Sequence, residues 1–162
     1  MISIDIGTHR FQLRAAAIVR RGDDVLLHRA ERDPFWALPG GRVEAGESGP
    51  EAVVREMREE LGIEASCGEL LFVAENFFDY GGRAYHELGL CFETRLAPGA
   101  ALLEARGPVL GREGDATLIF EWFDRARLLA ADIRPAFLAR ALADPASALR
   151  HVVHRDRATI AP

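Results

Sequence analysis

Residues 38–63 read LPGGRVEAGESGPEAVVREMREELGI, with glycines crowded at one end and glutamates at the other. Proline suits the first turn of a helix and glycine suits its end, so Pro50 and Gly62 bound a predicted helix of about 13 residues, starting at Ser48 or Gly49. The glycine-rich residues before Pro50 predict a loop. The segment therefore predicts a loop joined directly to an acidic helix.

One side of this helix carries clustered carboxylates. At about 100° per residue, Glu56, Glu59 and Glu60 share one arc beside the apolar face. The apolar face comprises Val53, Val54, Met57 and Leu61. Like charges at this spacing repel, whereas divalent cations such as Mg²⁺ and Mn²⁺ prefer carboxylate ligands. A solvated acidic face is the alternative, but Gly40 and Gly41 favour a cation and phosphate site because glycine permits close backbone approach.

The composition is that of a folded protein of one domain. The chain has 162 residues, 49% hydrophobic and 28% charged, and no apolar run approaches the ~20 residues that span a bilayer. Residues 1–14 show no signal-peptide pattern, so we expect a cytoplasmic protein. A net charge of −5 argues against binding to nucleic-acid polymers. Cys67 and Cys91 have no metal-ligand spacing, and we expect both to be buried free thiols.

Apolar runs and turn residues elsewhere predict a mixed α/β unit. Glycine-containing turns between apolar runs predict two hairpins. A polar loop, a second helix and shorter strands are predicted in the remaining segments. The predicted strands are 12–19, 25–28, 35–38, 70–78, 85–96 and 118–123. The predicted loop is 107–114 and the second helix 135–143, with an edge strand around Val152 and Val153. We expect one domain over 1–162, with its core at about 10–143 and a tail at 144–162.

The loop and helix together resemble the signature of the Nudix hydrolases. The pattern runs from Gly41 across five residues to Glu47, then across seven more to REMREELGI at 55–63. A looser likeness extends over about residues 10–140. The resemblance implies an α/β/α sandwich around a mixed β-sheet. It also implies an enzyme that uses Mg²⁺ or Mn²⁺ to hydrolyse a diphosphate linkage in a nucleoside diphosphate derivative.

The resemblance also assigns roles within the signature. It implies that Glu56, Glu59 and Glu60 are catalytic metal ligands, one of them also helping to deprotonate the attacking water. The carbonyl of Gly41 would complete a metal shell. Glu47 and Arg55 would form a supporting pair that holds the loop against the helix. These assignments agree with the chemistry, because metal ions neutralise a diphosphate and activate water.

Residues outside the signature extend the predicted site. Glu113 is the candidate for a further acidic metal ligand, with Asp115 and Glu121 behind it. Arg29 matches a position where some family members place a phosphate-contacting arginine, against the alternative of a surface arginine. Gly40 and Tyr80 are the other candidates for substrate binding. The other aromatic residues that would stack on a base are expected mostly in the core: Phe77, Phe78, Tyr85 and Trp122.

Three functions are compatible with this pattern. The first is hydrolysis of a nucleoside triphosphate, dinucleoside polyphosphate or nucleotide sugar. An isomerase of isopentenyl diphosphate on the same fold is disfavoured, because it needs a suitable catalytic cysteine and an altered signature. A non-catalytic nucleotide sensor is the third, because a fold does not determine function. We expect a small-molecule partner, no membrane association and a possible homodimer.

Overall fold

The computed structural model describes residues 1–144 and 149–156, so the parts of the predicted tail at 145–148 and 157–162 lie outside it. The strands of the described residues are β1 Ser3–Ile6, β2 His9–Arg21, β3 Asp24–Ala30, β4 Gly40–Arg42, β5 Ala65–Tyr80, β6 Arg83–Leu96, β7 Val109–Glu113, β8 Ala116–Phe123 and β9 Arg150–Arg155. The helices are α1 Gly49–Leu61, α2 Ala101–Glu104, α3 Arg125–Ala130 and α4 Phe137–Ala143. None of these helices is long and apolar enough to cross a bilayer.

The strands form one mixed sheet in the order β7-β8-β3-β2-β6-β5-β9, with β1 and β4 also paired to β2. β2 runs parallel to β6, and β5 runs parallel to β9, whereas the other pairs are antiparallel. The antiparallel pair of β5 and β6 is a long hairpin that turns at Gly81 and Gly82. The sheet is therefore mixed, as predicted.

The two faces of the sheet bury different cores, because successive side chains of a strand point to opposite faces. On β2, Ala15, Ala17 and Val19 pack with α1 and α2, whereas Ala16 and Ile18 pack with α3 and α4. Helices thus cover both faces of the sheet. The fold is the α/β/α sandwich that the resemblance implied.

Helix α1 has the predicted bounds because its end residues satisfy the exposed backbone groups. Ser48 and Glu51 form a capping box, in which each side chain bonds the backbone of the other. Gly62 ends the helix in the left-handed conformation, with φ of 68°. Val53 and Met57 on its apolar face are fully buried.

Several predicted elements need correction. Residues 35–38 form only single bridges, Trp36 with Ile133 and Ala37 with His28, because neither partner pairs with this short segment over consecutive residues. The predicted loop at 107–114 contains strand β7, which pairs with β8. The predicted second helix starts at Phe137, and the helices α2 and α3 were not predicted.

Two further expectations concern the tail and the cysteines. Val152 and Val153 lie in β9, which forms an edge of the sheet beside β5, as predicted. Cys91 is a buried free thiol, as predicted. The prediction for Cys67 was wrong in its burial, because this free thiol is only half-buried near the irregular start of β5.

Candidate active site

The side chain of Arg55 joins the loop to helix α1. Its Nε and Nη2 atoms donate to the two carboxylate oxygens of Glu47 at 2.8 and 3.0 Å, and Nη2 also donates to the carbonyl of Arg42 at 3.1 Å. Its Nη1 atom donates to Glu56 at 2.8 Å and to Glu59 at 3.0 Å. The paired guanidinium lowers the pKa of Glu47. This two-point contact fixes the loop against the helix, since planar guanidinium and carboxylate groups match each other.

The two adjacent glycines of β4 permit close packing on both sides. Gly40 has φ of +134°, and a Cβ atom there would lie 2.3 Å from the carbonyl oxygen of Ala15 on β2. A Cβ atom on Gly41 would lie 2.1 Å from the Oε1 atom of Glu56. Neither position accepts a side chain without displacing its neighbour. The carboxylate of Glu56 therefore lies directly against the backbone of the loop.

Glu60 is the most unusual acid in the structure. It is only 4% exposed, and neither carboxylate oxygen has a hydrogen-bond partner within the described residues. Burial, followed by the charge of Glu56, raises its pKa to about 9. The buried Nδ1 atom of His28 lies 3.7 Å from the Oε2 atom, too far for a hydrogen bond. Burial, and then Arg14, lower the pKa of His28 to about 3, so its imidazole is neutral.

The three glutamates of the predicted arc do not form a ready metal cage. Across residues 1–144 and 149–156, no three His, Cys, Asp or Glu side chains are grouped to hold a metal ion. The reason is that Arg55 binds the carboxylates of Glu56 and Glu59, and Glu59 also points towards solvent. Burial raises the pKa of Glu56 as well. A divalent cation nevertheless fits this donor set, because it would supply the partner that the buried oxygens of Glu60 lack.

Strand β7 brings Glu113 towards the same helix. A Cβ atom on Gly111 would lie 2.4 Å from the backbone oxygen of Glu60, so only glycine allows β7 to pass so close to the end of α1. Glu113 is exposed at the end of β7, and its charge adds to burial and Glu56 in raising the pKa of Glu60. Asp115 lies in the following turn, whereas Glu121 accepts a hydrogen bond from Arg127 at 2.7 Å.

A cleft of about 410 Å³ opens beside this region, on the side of the sheet that carries α3 and α4. That volume is within the usual range for a small-molecule site. Four predicted site residues line it, namely Arg29, Gly40, Tyr80 and Glu113. The glutamates of helix α1 do not line it, but His28 does, and its Nδ1 atom lies 3.7 Å from the Oε2 atom of Glu60.

Arg29 and Tyr80 lie at the cleft but are bound to a neighbouring loop. The Nη1 atom of Arg29 donates to the carbonyls of Glu31 and Asp33 at 3.0 and 3.1 Å. The hydroxyl of Tyr80 donates to the carboxylate of Asp33 at 3.2 Å, and its ring meets that of Phe35 edge-on. Both side chains therefore shape the rim of the cleft through this loop.

Sequence reasoning missed two residues of this region. Arg14 lines the cleft from β2, and its charge acts on Glu56, Glu60 and His28. His28 contacts Glu60 from the neighbouring strand β3. The available signal was the polar pair Gln12 and Arg14, two positions apart on an apolar strand, which places both on one face.

Comparison with known proteins gives partial matches to two curated relatives. The chain is 43% identical over 75 residues to the CTP pyrophosphohydrolase of Escherichia coli (strain K12), covering 44% of this chain and 54% of that protein. It is 40% identical over 76 residues to the ADP-ribose pyrophosphatase of Methanocaldococcus jannaschii. That alignment covers 43% of this chain and 45% of the relative. The aligned segments thus span about half the length of these relatives.

Structural and family comparisons cover most of the chain. The crystal structure of a NUDIX hydrolase from Nitrosomonas europaea matches with a TM-score of 0.64 over 90% of this chain and 79% of that chain. At 17% sequence identity, this likeness supports the fold alone. The family model of the NUDIX domain matches residues 10–143. With the loop and helix of residues 38–63 at its centre, this match shows that the chain belongs to the Nudix family.

Proposed function

We propose that this protein is a metal-dependent hydrolase of the diphosphate linkage in nucleoside diphosphate derivatives. The observation that carries the proposal is the carboxyl group of Glu60, which is buried beside Glu56 and has no hydrogen-bond partner among residues 1–144 and 149–156. Burying an unpaired carboxylate costs free energy, and binding of a divalent cation would remove that cost. Membership of the Nudix family supports this reading.

In this proposal Glu56, Glu59 and Glu60 hold Mg²⁺ or Mn²⁺ together with the carbonyl of Gly41. Glu113 is an additional ligand, since it is exposed at the end of β7 and its charge acts on Glu60. The bound cation would neutralise the diphosphate oxygens and lower the pKa of the attacking water. One of the three helix glutamates would accept a proton from the attacking water.

The other predicted residues position these ligands or the substrate. Arg55 and Glu47 hold the loop against α1, so that the backbone of Gly41 stays next to Glu56. Gly40 leaves room for a substrate phosphate to approach the backbone. Arg29 and Tyr80 contact the substrate from the rim of the cleft.

The substrate class is a small nucleotide derivative. Two relatives are named CTP pyrophosphohydrolase and ADP-ribose pyrophosphatase. These names support the proposal that the substrate is a nucleotide carrying a diphosphate. Nucleoside triphosphates, dinucleoside polyphosphates and nucleotide sugars are the candidates. We further propose that residues 1–162 act as one domain in the cytoplasm, and dimerisation stays a prediction.

A substrate screen tests the proposal. The purified protein is incubated with members of the three candidate classes and with Mg²⁺, Mn²⁺ or a chelator, and the release of phosphate, diphosphate or nucleoside monophosphate is measured. We expect turnover of at least one class with metal and none with the chelator. Binding of a nucleotide without turnover of any would contradict the proposal and favour a sensor.

A further inference from the structure

A row of buried polar side chains crosses the floor of the cleft. Gln12 on β2 lies opposite Glu87 on β6, and Glu87 lies opposite Asn76 on β5. The three residues line the cleft and are 9%, 7% and 5% exposed, respectively. Polar groups buried this deeply normally have hydrogen-bond partners. The row is distinct from the glutamates of helix α1, which do not line the cleft.

The hydrogen bonds within the row are incomplete. The Nε2 atom of Gln12 donates to the Oε2 atom of Glu87 at 2.5 Å. The Oδ1 atom of Asn76 has no partner within the described residues, although it is fully enclosed. A carboxylate can accept several hydrogen bonds. Within the row, the carboxylate of Glu87 accepts one, from Gln12. The Glu87 carboxylate therefore keeps acceptor capacity towards the cleft, whereas the Asn76 Oδ1 atom is enclosed beside it.

An aromatic pair adjoins the row on the same face of the sheet. Phe78 and Tyr85 lie two positions beyond Asn76 and Glu87 and also line the cleft. Their rings stack with centroids 5.0 Å apart and planes 5° apart. Aromatic side chains beside hydrogen-bonding groups suit a flat heterocycle, which stacks on a ring and bonds through its edge.

The row also lies at a suitable distance from the proposed metal site. Gly41 pairs with Ala15 on β2, three residues beyond Gln12. At about 3.3 Å per residue, the row and the loop are about 10 Å apart along β2. A ribose and a phosphate can bridge that distance, and Arg14 lies between the two ends.

We propose that Glu87 forms a base-specificity site that selects nucleobases carrying an exocyclic amino group. This inference rests on the proposed function, since it assigns the base end of the same nucleotide. An amino group donates hydrogen bonds and matches the Glu87 carboxylate, whereas a carbonyl oxygen at that position meets the same carboxylate and is repelled. The same carboxylate disfavours a phosphate group here, so the row binds the base end.

Binding of nucleoside monophosphates tests this site without requiring hydrolysis. Cytidine monophosphate is compared with uridine monophosphate, and adenosine monophosphate with inosine monophosphate, by calorimetric titration. In each pair a carbonyl oxygen replaces the amino group and the adjacent ring nitrogen gains a proton, so an exocyclic donor becomes an acceptor next to a ring N–H. We expect the amino form to bind roughly tenfold more tightly or better, because a buried acceptor left unpaired is costly.

Two variants and a control connect this preference to the row. Glu87→Gln and Glu87→Ala should each move the ratio of the two dissociation constants towards one. Glu75→Gln should leave the ratio unchanged, because this neighbouring carboxylate on β5 bonds His151 and does not line the cleft. Thermal unfolding of each variant verifies that it is folded.

The outcomes separate this inference from the proposed function. Equal binding of amino and carbonyl forms by the wild type, or no binding of any monophosphate, would overturn the inference. A preference that survives in both folded variants would overturn it as well. A preference without hydrolysis of any nucleotide would support the base-specificity site and contradict the proposed hydrolase. Hydrolysis without a preference would support the hydrolase and contradict the base-specificity site.

Discussion

The pKa of Glu60 makes the stability of the metal-free protein depend on pH. This pKa is about 9 in the folded chain, against 4.5 for an unperturbed glutamate. Between about pH 7 and 8.5 the folded state therefore holds a proton that the unfolded state has released. The free energy of unfolding must fall as pH rises through this window. The expected slope is about 1.4 kcal/mol per pH unit, so the loss over the window is about 2 kcal/mol.

Glu60→Gln isolates this effect, because glutamine has a similar shape and does not titrate. Urea unfolding of wild type and variant is measured with a chelator at several pH values, and the two free energies are subtracted at each pH. The subtraction cancels other titrating groups, such as the Cys91 thiol, whose pKa burial raises to about 12. The stability of the wild type relative to the variant should decline by about 2 kcal/mol.

Metal binding should remove this pH dependence. Excess Mg²⁺ would keep the Glu60 carboxylate ionised in the folded state, so that folded and unfolded states would hold the same number of protons there. Identical pH profiles for wild type and variant in the chelator would refute the reasoning, since they would show that Glu60 titrates normally.

Three further predictions concern the loop, the helix and the cysteine. Arg55→Lys should lower the free energy of urea unfolding by about 2 kcal/mol, because lysine cannot make the two-point contact with Glu47. The control Arg58→Lys, in an exposed ion pair, should cost less than about 1 kcal/mol, and equal losses would contradict the role of Arg55. Gly41→Ala should reduce turnover about 100-fold, because the added methyl group displaces Glu56. Gly107→Ala, with open space around it, should keep the wild-type rate, and equal rates in the two variants would contradict the role of Gly41. Cys91→Ala should retain wild-type turnover in a steady-state assay, and a large loss would revive the isomerase reading.

Helix α1 was predictable because its signals are local. The capping residues Ser48 and Gly62 and the spacing of Val53 and Met57 all lie within about four turns of chain. The contact between Glu47 and Arg55 likewise spans only eight residues. Such features depend on backbone geometry and periodicity, which the sequence displays directly.

Features that depend on distant partners were not predictable. Glu60 is adjacent to the apolar face, but its buried surroundings come from distant strands, with Gly111 on β7 beside its backbone oxygen and His28 on β3 3.7 Å from its carboxyl group. Strand β7 itself contains glycine and charged residues, and its pairing with β8 stabilises it as a strand. The hydrogen bond between Tyr80 and Asp33, which lie 47 residues apart, was likewise absent from any local pattern.

The most direct test of the central claim is the rate of Mg²⁺-dependent hydrolysis, measured with the best substrate of the screen. Wild type, Glu59→Gln and Glu60→Gln are compared with Glu51→Gln, in which glutamine still completes the capping box. We predict that the first two variants lose activity by orders of magnitude while staying folded, and that Glu51→Gln remains active. Wild-type rates in both Glu59→Gln and Glu60→Gln would contradict the assignment of the metal site to helix α1.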